Sequence, residues 1–294
     1  MIASPNRVPM TVNTRLPGSV MRQSGGVLMS QDLRFAFRIL ARKPGVAVTA
    51  VILLTIGIGA NTSVFSLIHS ILLRPLPGVQ NPERLVRFLR IESGQINGNL
   101  DYPDYLDFRD QTRLFSGVAA ETTTSLGFAN GKPERIRGAV VSGNYFSVLG
   151  VTPAAGRLIT PEDDRVSGGD RVAVISHGLW QRSYGSDPTV VGRTIRINAH
   201  DFTIVGVAAA DFYGMALGGS TEVWLPMVMQ PVAIPRLPAE ILRDRTAGWI
   251  SIYARLKPGV SIGAARAEVR AIADRLAQIY PKTNEGPMLE PAPG

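Results

Sequence analysis

GWISIYARLKPGVSIGAARAEVRAIADRLAQIYP, residues 248–281, changes its hydrophobic period halfway along, and that change sets the fold class. Ile250, Ile252, Ala254 and Leu256 alternate with Trp249, Ser251, Tyr253 and Arg255, the period of two expected of a half-buried strand. Beyond the Lys257–Pro258–Gly259 turn, Ile262, Ala265, Val269, Ile272, Leu276 and Ile279 recur at threes and fours, which predicts a helix with one apolar face. Ser261 is its N-cap and Pro281 its stop. Such a helix buries its stripe by packing on a sheet.

Moving upstream, GRTIRINAHDFTIVGV (192–207) predicts a hairpin: Ile195 and Ile197 alternate, Asn198–Asp201 turn, and Phe202, Ile204 and Val207 return. DRVAVISHGLWQRSYG (170–185) predicts a buried strand over Val172–Ile175 and a helix capped by Ser176. RIRGAVVSGNYFSVLG (135–150) predicts a strand ending at Val141, a turn over Ser142–Asn144 and a short helix carrying Tyr145, Phe146 and Leu149. Nearer the N-terminus, Leu85, Val86, Phe88 and Leu89 mark a strand, followed by a helix in DYPDYLDFRD (101–110). Strand–helix units therefore stand at both ends (85–128 and 248–294), with a more β-rich block between them. We expect an α+β fold of two subdomains, one formed by 74–135 with 246–294, the other a β-rich insertion over 136–245.

Candidate chemistry is sparse. Asp101, Asp104, Asp107 and Asp110 recur every third residue and invite a metal reading. At that spacing carboxylates fan around a helix rather than converge, and acids at a helix N-terminus favour its dipole. His177 beside Ser176 suggests a base and nucleophile, but no G-x-S-x-G elbow surrounds them and helix capping accounts for the serine. His200 is expected at the hairpin tip. Gly143, Gly150 and Gly156 do not form a phosphate cradle, and no G-x-x-x-x-G-K-[ST] occurs anywhere, so we expect no ATPase within the chain. We expect no catalytic residue, metal or cofactor, and hence no enzyme.

The other informative stretch is RKPGVAVTAVILLTIGIGANTSVFSLIHSILLRPLP (42–77), where Val46–Leu73 carries no Asp, Glu, Lys or Arg. As a helix of about 20 apolar residues or more it is long enough to cross a bilayer, so a transmembrane helix is expected over 44–73. Gly57, Gly59 and Ser63 suit close helix packing. A cleaved signal peptide is the competing reading of the same run, although it is long for one and lacks a clean A-x-A site. Before it, Arg34, Arg38 and Arg42 lie opposite Leu33, Phe37, Leu40 and Ala41, which predicts an amphipathic interfacial helix over 31–43 in contact with lipid. Residues 1–30 show no hydrophobic period and are expected to be disordered, with Met29 an alternative start to Met1.

Charge supports this arrangement. Of the net +8, Arg7, Arg15, Arg22, Arg34, Arg38, Arg42 and Lys43 against Asp32 contribute seven minus one, or +6. Positive residues on this side predict a cytoplasmic N-terminus and a region beyond about residue 74 exported across the cell membrane. The remaining +2 is too little for a nucleic-acid footprint. With no cysteine, disulfides and thiolate metal sites are excluded.

Together DLRFAFRILARKPG (32–45), IGIGANTSVFSLIHSILLRPLP (56–77), YPDYLDFRD (102–110), FSGVAA (115–120), VSGNYFSVLGVTPAAGR (141–157), VAVISHGLWQRSYGSDPTVVGRTIRIN (172–198), FTIVGV (202–207) and the end of the opening stretch carry a resemblance. Over roughly 31–285, in this order, they resemble MacB-like and FtsX-like ABC transporter permeases, in particular their N-terminal helix and MacB-type periplasmic core domain. The resemblance implies a porter-like subdomain with an inserted second one. It also implies a cytoplasmic ABC ATPase as partner, whose ATP cycle is transmitted through the membrane to export substrates or to act mechanically on the envelope. The alternative is a membrane-anchored binding or regulatory module without transport. Such permeases return to the membrane through further helices, whereas this sequence stops at NEGPMLEPAPG (284–294). The expectation is therefore a fragment or truncated permease, completed by further permease helices or a homodimer partner.

Overall fold

The computed structural model describes residues 77–294 except 93–94, 98, 131, 166–170, 216–218, 285–287 and 294, together with 45, 48–49, 52–59 and 61–62. The chain divides into two compact units, Met1–Leu73 and Arg74–Gly294. In the first, the described residues are helical, and Thr49 Oγ1 donates back to Gly45 O at 2.9 Å. Val48, Ile52, Leu53, Leu54, Ile56 and Ile58 are all exposed. No helix among the described residues is long and apolar enough to cross a membrane. The interfacial helix expected over 31–43, the disordered segment over 1–30 and most of the span expected over 44–73 lie outside the described residues.

The second unit is a mixed α/β fold whose described residues form one sheet of eleven strands. These are β1 (Leu85–Glu92), β2 (Gln95–Asn97), β3 (Phe115–Asn130), β4 (Lys132–Val141), β5 (Pro153–Gly156), β6 (Val172–Ile175), β7 (Thr194–Ile197), β8 (His200–Ala208), β9 (Val223–Pro226), β10 (Ser251–Leu256) and β11 (Met288–Pro293). Their order is β11-β1-β10-β3-β4-β9-β6-β8-β5, with β2 beside β1 and β7 joining β3 to β8. The pairings β4–β9 and β6–β8 are parallel and the rest antiparallel. Among the described residues six α-helices accompany the sheet: α1 (Tyr102–Gln111), α2 (Tyr145–Leu149), α3 (His177–Tyr184), α4 (Gln230–Ala233), α5 (Ile262–Ile279) and α6 (Pro281–Asn284).

Both faces of the sheet are covered. One core gathers Phe88, Ile252, Tyr105 and Phe108 of α1, and Ala265, Val269, Ile272 and Leu276 of α5. The stripe on α5 is therefore buried as its spacing predicts, while its ends, Ile262 and Ile279, are exposed. Ser261 Oγ accepts from Ala264 N at 3.2 Å, as an N-cap does. The other core gathers Leu85, Ala119, Val141, Tyr253 and Trp224 with Tyr145, Phe146, Val148 and Leu149 of α2.

This second core corrects the expectation that β10 is half-buried. Tyr253 is 5% exposed and Arg255 8%, because α2 roofs the face that was expected to meet solvent. Arg255 Nε donates to Val148 O and its Nη1 to Asn81 O at 3.1 Å, so carbonyls take two of the three guanidinium nitrogens, while the buried Nη2 has no acceptor among the described residues. The hairpin is also tighter than expected. Asn198 and Ala199 take positive φ (48° and 67°) and make the whole turn, which places His200 and Asp201 within β8. His200 is thus an exposed strand residue paired with Ile197 rather than a loop tip.

Gly206 is fixed by a close approach. A Cβ there would lie 2.0 Å from Arg157 O and 2.8 Å from Ala155 O, beside register shifts in both β5 and β6. Gly206→Ala is expected to destabilise the chain by about 1–3 kcal/mol, read from the urea unfolding midpoint. An unchanged midpoint would show that β5 moves aside freely.

Candidate functional site

Ser176, His177, Gly143 and the four aspartates singled out in the sequence are engaged locally. Ser176 Oγ accepts from Leu179 N at 3.0 Å as the N-cap of α3, while the His177 ring meets Trp180 edge-on, with centroids 5.3 Å apart. Ser176→Ala is expected to cost about 1 kcal/mol and to raise the hydrogen-exchange rate of the Leu179 amide. A serine held as a nucleophile instead would leave that amide unaffected. Gly143 N donates to Asp164 Oδ2 and Val228 N to Asp164 Oδ1, both at 2.9 Å, so these groups tie the turn before α2 to residue 228. Burial pushes the Asp164 carboxyl up to about 6 against those hydrogen bonds. Gly150 (φ 67°) ends α2 in the left-handed region, where glycine is the favoured C-cap.

The four aspartates at intervals of three separate into three roles. Asp101 caps α1 through Asp104 N at 2.8 Å and is buried. Asp104, also buried, receives Arg90 Nη2 at 3.0 Å, Arg245 Nη1 at 3.0 Å and Asn284 Nδ2 at 2.9 Å. Asp107 takes the other Arg245 nitrogen at 2.7 Å, and Arg245 stacks 3.8 Å over the Tyr280 ring. Asp110 points to solvent with Arg109. The cluster thus joins β1, α1, the segment before β10 and the C-terminal helices. Burial, and then the Asp104 carboxylate, raise the pKa of Asp101. Among the described residues no three His, Cys, Asp or Glu are grouped to hold a metal ion.

A cavity of about 520 Å³ lies elsewhere, lined by Arg87, Glu121, Thr123, Arg236, Trp249 and Tyr253 among others. β3 carries Glu121 into it next to Ser251, its partner on β10. Tyr145 Oη donates to Glu121 Oε2, Tyr253 adds a second hydrogen bond, and Arg87 Nη2 reaches Ser251 Oγ at 2.9 Å. Burial pushes the Glu121 carboxyl up to about 7, more than these hydrogen bonds and Arg87 lower it. The site can therefore hold or release a proton near neutrality. Sequence reasoning missed it. The available signal was a lone acid between the apolar VAA and three threonines in VAAETTT (118–124).

The domain is thus a mixed sheet covered on both faces, with a buried charge cluster at α1 and polar cavities beside β3. The family of MacB-like periplasmic core domains matches residues 47–272, and the chain belongs to it. Over 88 residues it is 32% identical to the macrolide export ATP-binding/permease protein MacB of Hahella chejuensis, covering 29% of this chain and 13% of that protein. The chain thus spans a small part of that relative's length. In fold it is similar to a domain of a Porphyromonas gingivalis protein described as a permease (TM-score 0.54, 15% identity, 74% of this chain and 92% of that one). It is likewise similar to the extracellular domain of the ABC-type transporter YknZ from Gram-positive bacteria (TM-score 0.50, 13% identity, 71% and 99%).

Proposed function

We propose that this chain is a permease subunit, or a fragment of one, whose domain outside the cell membrane couples a cytoplasmic ABC ATPase to export or to mechanical work on the envelope. The observation that carries the reading is the family match over 47–272, which begins inside the uncharged stretch and runs into α5. A transmembrane helix over 44–73 anchors the domain with its N-terminus inside. The exposed apolar side chains from Val48 to Ile58 support this, since a surface of that kind calls for lipid or protein cover. The basic helix over 31–43 lies at the inner lipid surface and meets the ATPase. Beyond residue 74 the porter-like part (74–135 with 246–294) and the insertion (136–245) share one sheet, which gives a load applied at one end a stiff path to the other. The second reading, a membrane-anchored binding or regulatory module without transport, is favoured by the polar cavity around Glu121.

Co-purification separates the two. A tagged chain that brings down a cytoplasmic ABC ATPase, and loses it on deletion of 32–43, supports the permease subunit; retention of an envelope protein alone supports the module. Carbonate-washed membranes and external protease on spheroplasts test the anchor. A shortened soluble product would replace the anchor with a cleaved signal peptide.

A further inference from the structure

β3 lacks a strand partner over part of the edge that it shares with β10 and β7. On one side β4 pairs with it from Glu121 to Asn130. On the other, β10 pairs up to Glu121 and β7 begins at Phe128, which leaves Thr122–Gly127 between them. Alternate residues of an antiparallel strand bond to opposite sides. Ala120 exchanges hydrogen bonds with Ser142 on the β4 side, while Gly127 receives Asn198 N on its carbonyl and donates to Asn198 Oδ1 on the other. The odd-numbered residues therefore face the gap. Thr123 and Ser125 direct their N–H and C=O groups into it and have no backbone partner there among the described residues. The chain that would continue β10 turns away, because Trp249 N and Ile250 N both donate to Leu100 O.

The surroundings are basic. Ser125 lies opposite Arg137 and Gly127 opposite Arg135, so both guanidiniums stand on the face of β3 that carries Thr123 and Ser125. A second cavity of about 460 Å³ holds these residues with Arg236, and it shares Thr123 and Arg236 with the cavity around Glu121. Among the described residues Arg135, Arg137 and Arg236 form no ion pair. Ile234, Leu237 and Trp249 complete the wall, and the buried Trp249 Nε1 has no acceptor among the described residues.

We infer that this gap is a strand-addition site, which takes an extended peptide segment bearing acidic side chains. The segment's backbone pairs with Thr123 and Ser125, its alternate carboxylates meet Arg135, Arg137 and Arg236, and the intervening side chains face Ile234, Leu237 and Trp249. At ~3.3 Å per residue the opening accommodates about five residues. Glu121 at its inner end is held by Tyr145 and Tyr253, and burial keeps it largely protonated below neutrality, so the groove remains cationic there. The inference does not depend on transport.

The test is fluorescence anisotropy of the full-length chain with a labelled heptapeptide of alternating glutamate and valine. We expect saturable binding, at least tenfold weaker for the lysine–valine peptide and for a glutamate–valine peptide N-methylated along its pairing edge. Arg137→Glu with Arg236→Glu should weaken binding at least tenfold. Thr123→Pro removes an edge donor without touching the β4 ladder and should do the same. No binding, or equal affinity for the lysine–valine peptide, overturns the site. Full-strength binding of the N-methylated peptide, displaced by excess inorganic phosphate, would mark an anion site only and also overturn it.

Discussion

Alanine in place of Asp104 is expected to lower the unfolding free energy by about 3 kcal/mol, the low end of what breaking a buried ion pair costs. Asp104 is fully buried and serves Arg90, Arg245 and Asn284 at once, so its removal leaves two mostly buried guanidiniums with less compensation. The estimate stays low because Arg90 keeps Asp101 at 3.4 Å and Arg245 keeps Asp107 at 2.7 Å. The loss should not be uniform. Asn284 and Tyr280 join the cluster from the C-terminal helices, so hydrogen exchange there should rise more than in β6 or β8. The exposed pair Arg109–Asp110, on the same helix, provides the control: Arg109→Ala should shift stability by no more than about 0.5 kcal/mol. Equal shifts for the two variants in urea unfolding would mean that burial around Asp104 contributes nothing special.

The elements whose signals are local were legible in the sequence. The period change around Lys257 placed β10 and α5, Ser176 and Ser261 capped the helices they were expected to cap, and the strand at 172–175 stands where its apolar run predicted. Elements defined by distant partners were not. β11 pairs with β1 across nearly the whole length of the domain, and its sequence, MLEPAP, carries no alternation to announce it. β3 is sixteen residues long, because β10, β4 and β7 each hold a part of it, yet only FSGVAA stood out. The polar face of β10 misled for the same reason. Alternation reports which side chains are polar, whereas the roof over Tyr253 and Arg255 is supplied by α2, about a hundred residues away. Of the cavity, the sequence showed one acid and two tyrosines with nothing to connect them. The connection is a register, Glu121 opposite Ser251, that exists only once the sheet has formed.

The pH dependence of stability is expected to carry the signature of Glu121. In the native state burial holds its proton up to about pH 7, whereas the unfolded chain releases it near the ordinary value of 4.5. Between those limits the native state binds more protons than the unfolded one, so stability falls as pH rises and levels off above about 7. The interval of about 2.5 pH units, at about 1.4 kcal/mol for each, gives a loss of about 3 kcal/mol. Glu121→Gln keeps an acceptor for Tyr145 and cannot ionise, so its advantage over the unaltered chain should grow by about that amount between pH 5 and pH 8. Asp164 and Asp101 are raised too and slope in the same direction. They are present in both proteins, so they cancel in the difference. Urea unfolding across this range reads it directly, and parallel curves for the two proteins would show that the Glu121 carboxyl is ionised at ordinary pH and that Arg87 outweighs its burial.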